Sequence, residues 1–193
     1  MSLLLALALL SAGPAYLDDP CRYDRAAMLA LSLKAFDQDM TGGWRMLSLK
    51  DCTLPAADLI RDWRTAHQAT DTILYWHEGQ LRAEAGQYAQ AIALFRRSYK
   101  PADEDAGWGW NLYVDGSIAF LRGDRPELDR ARAALAVLPP PPELADARGP
   151  DGKPTTIQWP MNLNVLDAFR RCWGQSYRAA YRCAPPVRVI QAK

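Results

Sequence analysis

The chain has little of the chemistry that most enzymes and metalloproteins need. It contains only two histidines, His67 and His77, among 193 residues, and histidine is the side chain that titrates most readily near neutral pH. Trp76-His77-Glu78 starts like a metalloprotease helix, but Leu81 stands where H-E-x-x-H requires its second histidine. The motifs G-x-S-x-G, G-x-x-x-x-G-K and G-x-G-x-x-G are also missing. We therefore expect no catalytic residue, no cofactor and no metal site.

Paired carboxylates give equally little support for catalysis. The densest acidic cluster is Asp103-Glu104-Asp105, which falls in a predicted loop, where a charge run is usually solvated surface. Asp115 lies within a predicted helix beside Trp110 and Tyr113 and is the better candidate for a buried carboxylate. A hydrolase acting on cell-wall sugars, which would need two such groups flanking the bond, remains an alternative.

Long apolar runs are scarce as well. The longest is the segment 3–10, far shorter than the ~20 residues of a membrane-spanning helix. Small residues follow it up to Ala15, an arrangement typical of an export signal, although no Lys or Arg precedes the run. We predict a signal peptide over 1–15, a single domain over 16–193, a periplasmic or secreted location and no stable membrane span.

Four cysteines in an exported chain indicate disulfides, and sequence alone permits three connectivities. Cys21 begins the first predicted helix and Cys52 ends the next one, so an antiparallel helix pair would bring them together. Cys172 and Cys183 flank the end of the last helix, and because residues eleven apart on a straight helix are separated by about 16 Å, a bend near Gly174 or after Ala180 is required. We predict the pairs Cys21–Cys52 and Cys172–Cys183.

The distribution of charge is uneven although the net charge is only +1. The segment 161–193 carries six basic residues against Asp167 alone, so the remainder has a net charge of 1 − 5 = −4. This pattern favours a basic face docking on an acidic body over a nucleic-acid surface, because no basic aromatic motif accompanies it. We expect no nucleic-acid partner.

Hydrophobic periodicity predicts an all-α fold of about seven helices followed by a C-terminal one. Four consecutive prolines, starting at Pro139, end the main helical region and begin a Pro-rich loop over 139–160. The only β-like run is 187–190. The predicted helices cover 24–37, 44–51, 55–67, 70–85, 88–99, 108–121, 126–138 and 162–180.

The stretch 75–101 carries small and aromatic residues at a distinctive spacing. Gly79 precedes a turn at Gly86, and Ala91 and Phe95 follow in the second helix, with Pro101 closing the unit. This pattern resembles a tetratricopeptide repeat, a helix–turn–helix unit of about 34 residues. The resemblance implies a stacking unit that binds other proteins and has no chemistry of its own.

A second, degenerate unit aligns with the first when Gly116 and Gly123 are placed on Gly79 and Gly86. The repeats then cover 72–101 and 109–139, about a third of the chain. The resemblance implies that the first helix of each unit lines a concave groove. The residues pointed toward this groove are Ile73, Trp76, Gln80, Trp110, Tyr113 and Ser117.

The C-terminal helix, over 161–182, has two interpretations. It caps the apolar end of the repeat stack, or it lies back in the groove as a plug or regulator. The resemblance implies a non-enzymatic protein that binds a protein or peptide in the cell envelope as an adaptor or assembly factor. An immunity-type inhibitor of a secreted toxin is the alternative among binding proteins.

Overall fold

The computed structural model describes residues 19–149 and 151–185, and within these ranges the chain is helical with no strand. The predicted all-α fold is confirmed. The predicted signal peptide and the β-like run 187–190 lie outside the described residues. The helices are α1 (Arg25–Leu29), α2 (Arg45–Leu49), α3 (Thr53–His67), α4 (Thr72–Glu84), α5 (Tyr88–Arg96), α6 (Trp110–Arg122), α7 (Arg125–Ala136), α8 (Leu163–Arg171) and α9 (Tyr177–Tyr181), with a π-helical turn over Lys34–Gln38 and a 3-10 helix over Pro142–Asp146.

Aspartates start several of these helices. The Asp24 carboxylate accepts from the backbone N–H of Ala27 at 3.0 Å, and the Asp124 carboxylate accepts from Glu127 N–H at 3.1 Å. The N–H groups in the first turn of a helix have no acceptor within the helix, and these two carboxylates supply one. Asp105, from the acidic cluster in the loop, accepts from the first N–H groups of α6 through both carboxylate oxygens. The role of Asp105 is therefore helix capping.

The first predicted helix, 24–37, is divided in the structure. α1 ends after Leu29, and the chain resumes helical geometry only in the π-helical turn. The hydroxyl of Ser32 accepts from Ala35 N–H at 3.3 Å. Such a local side-chain bond competes with the regular helical ladder, and it accounts for the break between the two segments.

The C-terminal helix is divided in the same way. Gly174 has φ +82°, a left-handed conformation that glycine adopts at little cost, and Ser176 then caps α9 by accepting from Ala179 N–H. The reversal brings Cys172 within 6.3 Å of Cys183, measured between Cα atoms. This bend is the one that the predicted bridge required.

Both predicted disulfides are confirmed, and no free cysteine remains in the described residues. The Cα atoms of Cys21 and Cys52 lie 5.5 Å apart, within the normal range for a disulfide. This bridge fixes the segment before α1 to the start of α3. Two disulfides are consistent with an oxidising location outside the cytoplasm. No helix of the ranges 19–149 and 151–185 is long and apolar enough to cross a membrane.

Consecutive helices pack against one another, most extensively in the pairs α3–α4, α4–α5 and α6–α7. Two apolar clusters result. The first joins α1, α2 and α3 to one side of α4, and the second joins the other side of α4 to α5 through α9. The half-buried Ile73 contacts both clusters. Helix α4 is therefore the central element of the fold.

The two glycines that define the repeat resemblance pack differently. A Cβ atom on Gly79 would lie 2.6 Å from Cδ1 of Phe95 on α5, so α4 and α5 touch at the position that the pattern predicts. A Cβ atom on Gly116 would instead lie 2.6 Å from Leu166 on α8. The second unit thus uses its glycine to admit the C-terminal helix, and the close contact within the pair α6–α7 is made elsewhere.

Candidate functional site

The structure buries part of the groove that the repeat pattern predicts. Trp76 and Tyr113 are 3% and 2% exposed, and Ser117 is fully buried. Ile73, Gln80 and Trp110 are half-buried. The ring of Trp76 stacks on Phe95 at 4.3 Å and meets Trp110 and Tyr113 at 5.0 and 4.7 Å between ring centroids. Trp76, Tyr113 and Ser117 belong to the core, and their prediction as groove surface is corrected.

The C-terminal helices pack in the same apolar cluster as Trp76 and Tyr113. Phe120 of α6 stacks on Phe169 of α8 with ring centroids 4.4 Å apart, and Tyr177 of α9 lies 5.3 Å from Phe169. Burial raises the pKa of both Tyr113 and Tyr177 well above the usual value, and the neighbouring Tyr181 adds to this effect. Helix α8 packs on α6 and α7 like a cap, whereas α9 turns back onto α4. The two helices of the segment therefore contact the first helix of each predicted repeat, α9 on α4 and α8 on α6.

Four exposed apolar side chains occur in the 15 residues from 40 to 54, and we call them the α2 surface: Met40, Met46, Leu49 and Leu54. Met40 and Leu49 are 70% and 71% exposed. Met46 and Leu49 are three residues apart on α2 and therefore share one face. Single exposed apolar residues are ordinary, but a local concentration of them is typical of an interaction site.

A buried carboxylate anchors the N-terminal end of the α2 surface. Asp37 is fully buried, and its Oδ1 accepts from Trp44 Nε1 at 2.9 Å and lies 2.7 Å from His77 Nδ1. Arg45 donates to the backbone carbonyl of Asp37, and its guanidinium lies 3.7 Å from Oδ1. One side chain therefore joins the π-helical turn, the start of α2 and the middle of α4.

The environment of Asp37 favours its charged form. Burial acts to raise the pKa of this carboxyl, but the hydrogen bond and charge of His77, the Trp44 indole and the Arg45 guanidinium outweigh that effect, so the pKa is lowered. Among the hydrogen bonds of ranges 19–149 and 151–185, none joins a Ser, Thr or Cys side chain to His77. The Asp37–His77 pair links the π-helical turn to α4, and the Trp44 and Arg45 contacts of Asp37 link both to the start of α2.

The other end of the α2 surface is fixed as well. The disulfide at Cys52 holds the turn between α2 and α3. Arg178 of α9 donates to Asp51 at 3.3 Å and to the Thr53 hydroxyl at 2.6 Å. The surface is consequently held from the N-terminal segment, from α4 and from α9. Such rigid display lowers the conformational entropy that a binding surface loses on association.

Sequence reasoning missed the α2 surface. The only signal available was that a helix of five residues carries apolar side chains on more than one face, which one neighbouring helix cannot cover.

His67, predicted as a helix-end residue, closes α3 and its Nε2 lies 2.8 Å from the carbonyl oxygen of Leu29. Asp115 accepts from the Tyr99 hydroxyl at 2.5 Å, and burial, together with this bond, raises the pKa of Tyr99.

No family model, curated protein or solved structure matches this chain. No group of three or more His, Cys, Asp or Glu side chains suited to a metal ion occurs in the described part of the chain.

Proposed function

We propose that this chain is a non-enzymatic, exported helical protein that binds a protein or peptide in the cell envelope through the α2 surface, as an adaptor or assembly factor. The observation that carries the proposal is the concentration of exposed Met and Leu side chains on a turn and short helix held by a buried carboxylate and a disulfide. Flexible Met side chains adapt to apolar partners, and a rigid frame keeps them accessible.

The repeat resemblance and the covered groove both bear on where the partner docks. A protein of this class would use the concave face of its first helices, here α4 and α6, and α9 packs against α4 while α8 packs against α6. The α2 surface holds four of the six large apolar side chains that are exposed in the described residues. Two disulfides support an oxidising compartment for the interaction, and the apolar segment 3–10 supports export.

A protein partner fits the α2 surface better than a lipid bilayer does. An amphipathic helix that binds membranes is longer and carries mainly basic residues on its polar face. Helix α2 has five residues, and the exposed charged side chains beside it, Asp39, Lys50 and Asp51, are of both signs. Mixed charge around an apolar centre is typical of a protein interface.

The test is affinity capture from an envelope extract, followed by mass spectrometry, with wild type, Leu49→Glu and the control Val137→Glu. Val137 is 79% exposed and follows α7, so its variant introduces the same charge at a similar exposure far along the chain. We expect a specific partner to be retained by wild type and by Val137→Glu and to be lost by Leu49→Glu.

Three results would contradict the proposal. Equal capture by Leu49→Glu and Val137→Glu would show that the α2 surface is not the interface. Sedimentation showing that Leu49→Glu only separates two copies of the chain would identify a homodimer contact. Capture of a secreted toxin that loses its activity on binding would identify an immunity-type inhibitor instead of an adaptor.

A further inference from the structure

A cavity of about 310 Å³ lies between α3, α4 and α5. The cavity is lined by charged and polar side chains and by a small apolar wall. The lining residues are Arg61, Glu78, Arg82, Gln90, Ala93 and Leu94. Ligand pockets usually measure about 300–1,000 Å³, so this volume suits a ligand of few atoms. The cavity shares no residue with the α2 surface. A ligand in it is therefore independent of the function proposed above.

Two of the lining charges are buried. The side chains of Glu78 and Arg82 are 5% and 9% exposed. Glu78 Oε2 accepts from Arg64, whose side chain is 11% exposed, while Glu78 Oε1 has its nearest cationic contact at 3.5 Å, to Arg82 Nη2. That distance exceeds the range of about 2.7–3.2 Å for N–H···O bonds. Oε1 of Glu78 therefore keeps the capacity to accept a hydrogen bond from a ligand.

The positive charges of the cavity come from Arg61, at its rim, and from Arg82, at its floor. Arg61, whose side chain is 50% exposed, contacts Asp58 Oδ1 at 2.9 Å, and Arg82 Nη2 contacts the same oxygen at 2.6 Å. Two guanidinium groups thus converge on one oxygen of Asp58, a side chain that is 43% exposed. Arg61 also donates through Nε and Nη2 to Asp62 Oδ1 at 3.2 and 3.0 Å, and Arg82 donates through Nη1 to Gln87 Oε1 at 3.1 Å. Because a guanidinium has five N–H donors, Arg61 keeps two of them and Arg82 keeps three for a second carboxylate.

We propose that this cavity binds a small zwitterion of the α-amino acid class. The ligand ammonium donates to Glu78 Oε1, its carboxylate accepts from Arg61 and Arg82, and an aliphatic side chain rests on Ala93 and Leu94. Charged hydrogen bonds in a partly desolvated site are stronger than neutral ones. A buried ion pair contributes little to stability compared with apolar packing, and a ligand gives Glu78 and Arg82 a role that stability alone does not supply.

The first experiment is calorimetric titration of the purified, oxidised protein with three compounds: leucine, N-acetylleucine and leucine methyl ester. Leucine carries both charges, and each derivative lacks one. We expect leucine to bind. Each derivative should bind at least about tenfold more weakly than leucine, because each loses a charged hydrogen bond. The proposal is overturned if leucine gives no heat at millimolar concentration, or if either derivative binds as tightly as leucine.

Variants locate the site. Ala93→Trp fills the cavity from an exposed position of α5 and leaves its charges in place, and Ala134→Trp adds the same side chain at an exposed position of α7. Leucine binding should be lost in Ala93→Trp and kept in Ala134→Trp. Arg61→Gln, at the half-exposed rim, should weaken binding about tenfold. Unchanged affinity in both Ala93→Trp and Arg61→Gln, with the fold verified by circular dichroism, would refute the assignment.

Discussion

The contact at Gly79 gives the sharpest test of the packing. An added Cβ atom would lie 2.6 and 2.7 Å from Cδ1 and Cε1 of Phe95 and 3.3 Å from Cβ of Leu94. Phe95 is fully buried, and its ring is stacked on Trp76. The ring therefore has no free space into which to move, and Gly79→Ala should overpack the junction of α4 and α5.

Two opposing effects set the size of the change. Replacing a helical glycine by alanine removes an intrinsic penalty of about 0.5–1 kcal/mol, whereas overpacking a core costs about 1–3 kcal/mol. The difference is a loss of roughly 1 kcal/mol in the free energy of unfolding for Gly79→Ala, and more for Gly79→Val because valine is larger and gains less in helix propensity. For a domain of this size, about 1 kcal/mol lowers the Tm by ~2–4 °C.

Thermal and urea unfolding of the oxidised protein would measure both variants. Ala134→Gly, at an exposed position of α7, calibrates the intrinsic glycine penalty in this chain. In a Phe95→Leu background the clash is relieved, so Gly79→Ala should become neutral or stabilising there. A higher Tm for Gly79→Ala in the wild-type background would refute the close packing of α4 on α5.

Three further predictions follow from the buried groups. Trp76→Ala should lower the free energy of unfolding in urea by about 3–5 kcal/mol, since Trp76 is a core residue. A loss below about 1 kcal/mol would show instead that Trp76 is a surface residue. Replacing Cys21 and Cys52 together by serine should lower the free energy of unfolding by about 3–4 kcal/mol, because the bridge closes a loop of 31 residues in the unfolded chain, and an unchanged Tm would contradict this. Asp37 has a folded-state pKa below its unfolded value of 3.8. Its contribution to the free energy of unfolding is therefore complete above about pH 5 and is lost as the pH falls through the folded pKa. An acid-unfolding slope in Asp37→Asn equal to that of wild type would contradict this prediction.

Much of the local structure could be predicted because it depends on neighbouring residues. Helices α3 to α7 lie where hydrophobic periodicity and the Pro and Gly signals predict them. The pairing of cysteines could be predicted because short helical connections left few geometries open. The ends of the chain were predicted less well, since α1 and α9 have five residues each, too few for a periodic pattern to define.

The sequence by itself determined where helices α3 to α7 lie. Together with the expected order of the helices it predicted which cysteines pair, and the repeat pattern predicted that Gly79 lies at a close helix contact. Only the tertiary structure decided that α9 returns to α4, that Gly116 admits Leu166, and that Asp37 meets His77 across 40 positions of sequence. The reason is that periodicity identifies the apolar face of a helix but not the element that covers it. That choice depends on competition among all apolar faces for a limited interior, which is settled only when the whole chain packs.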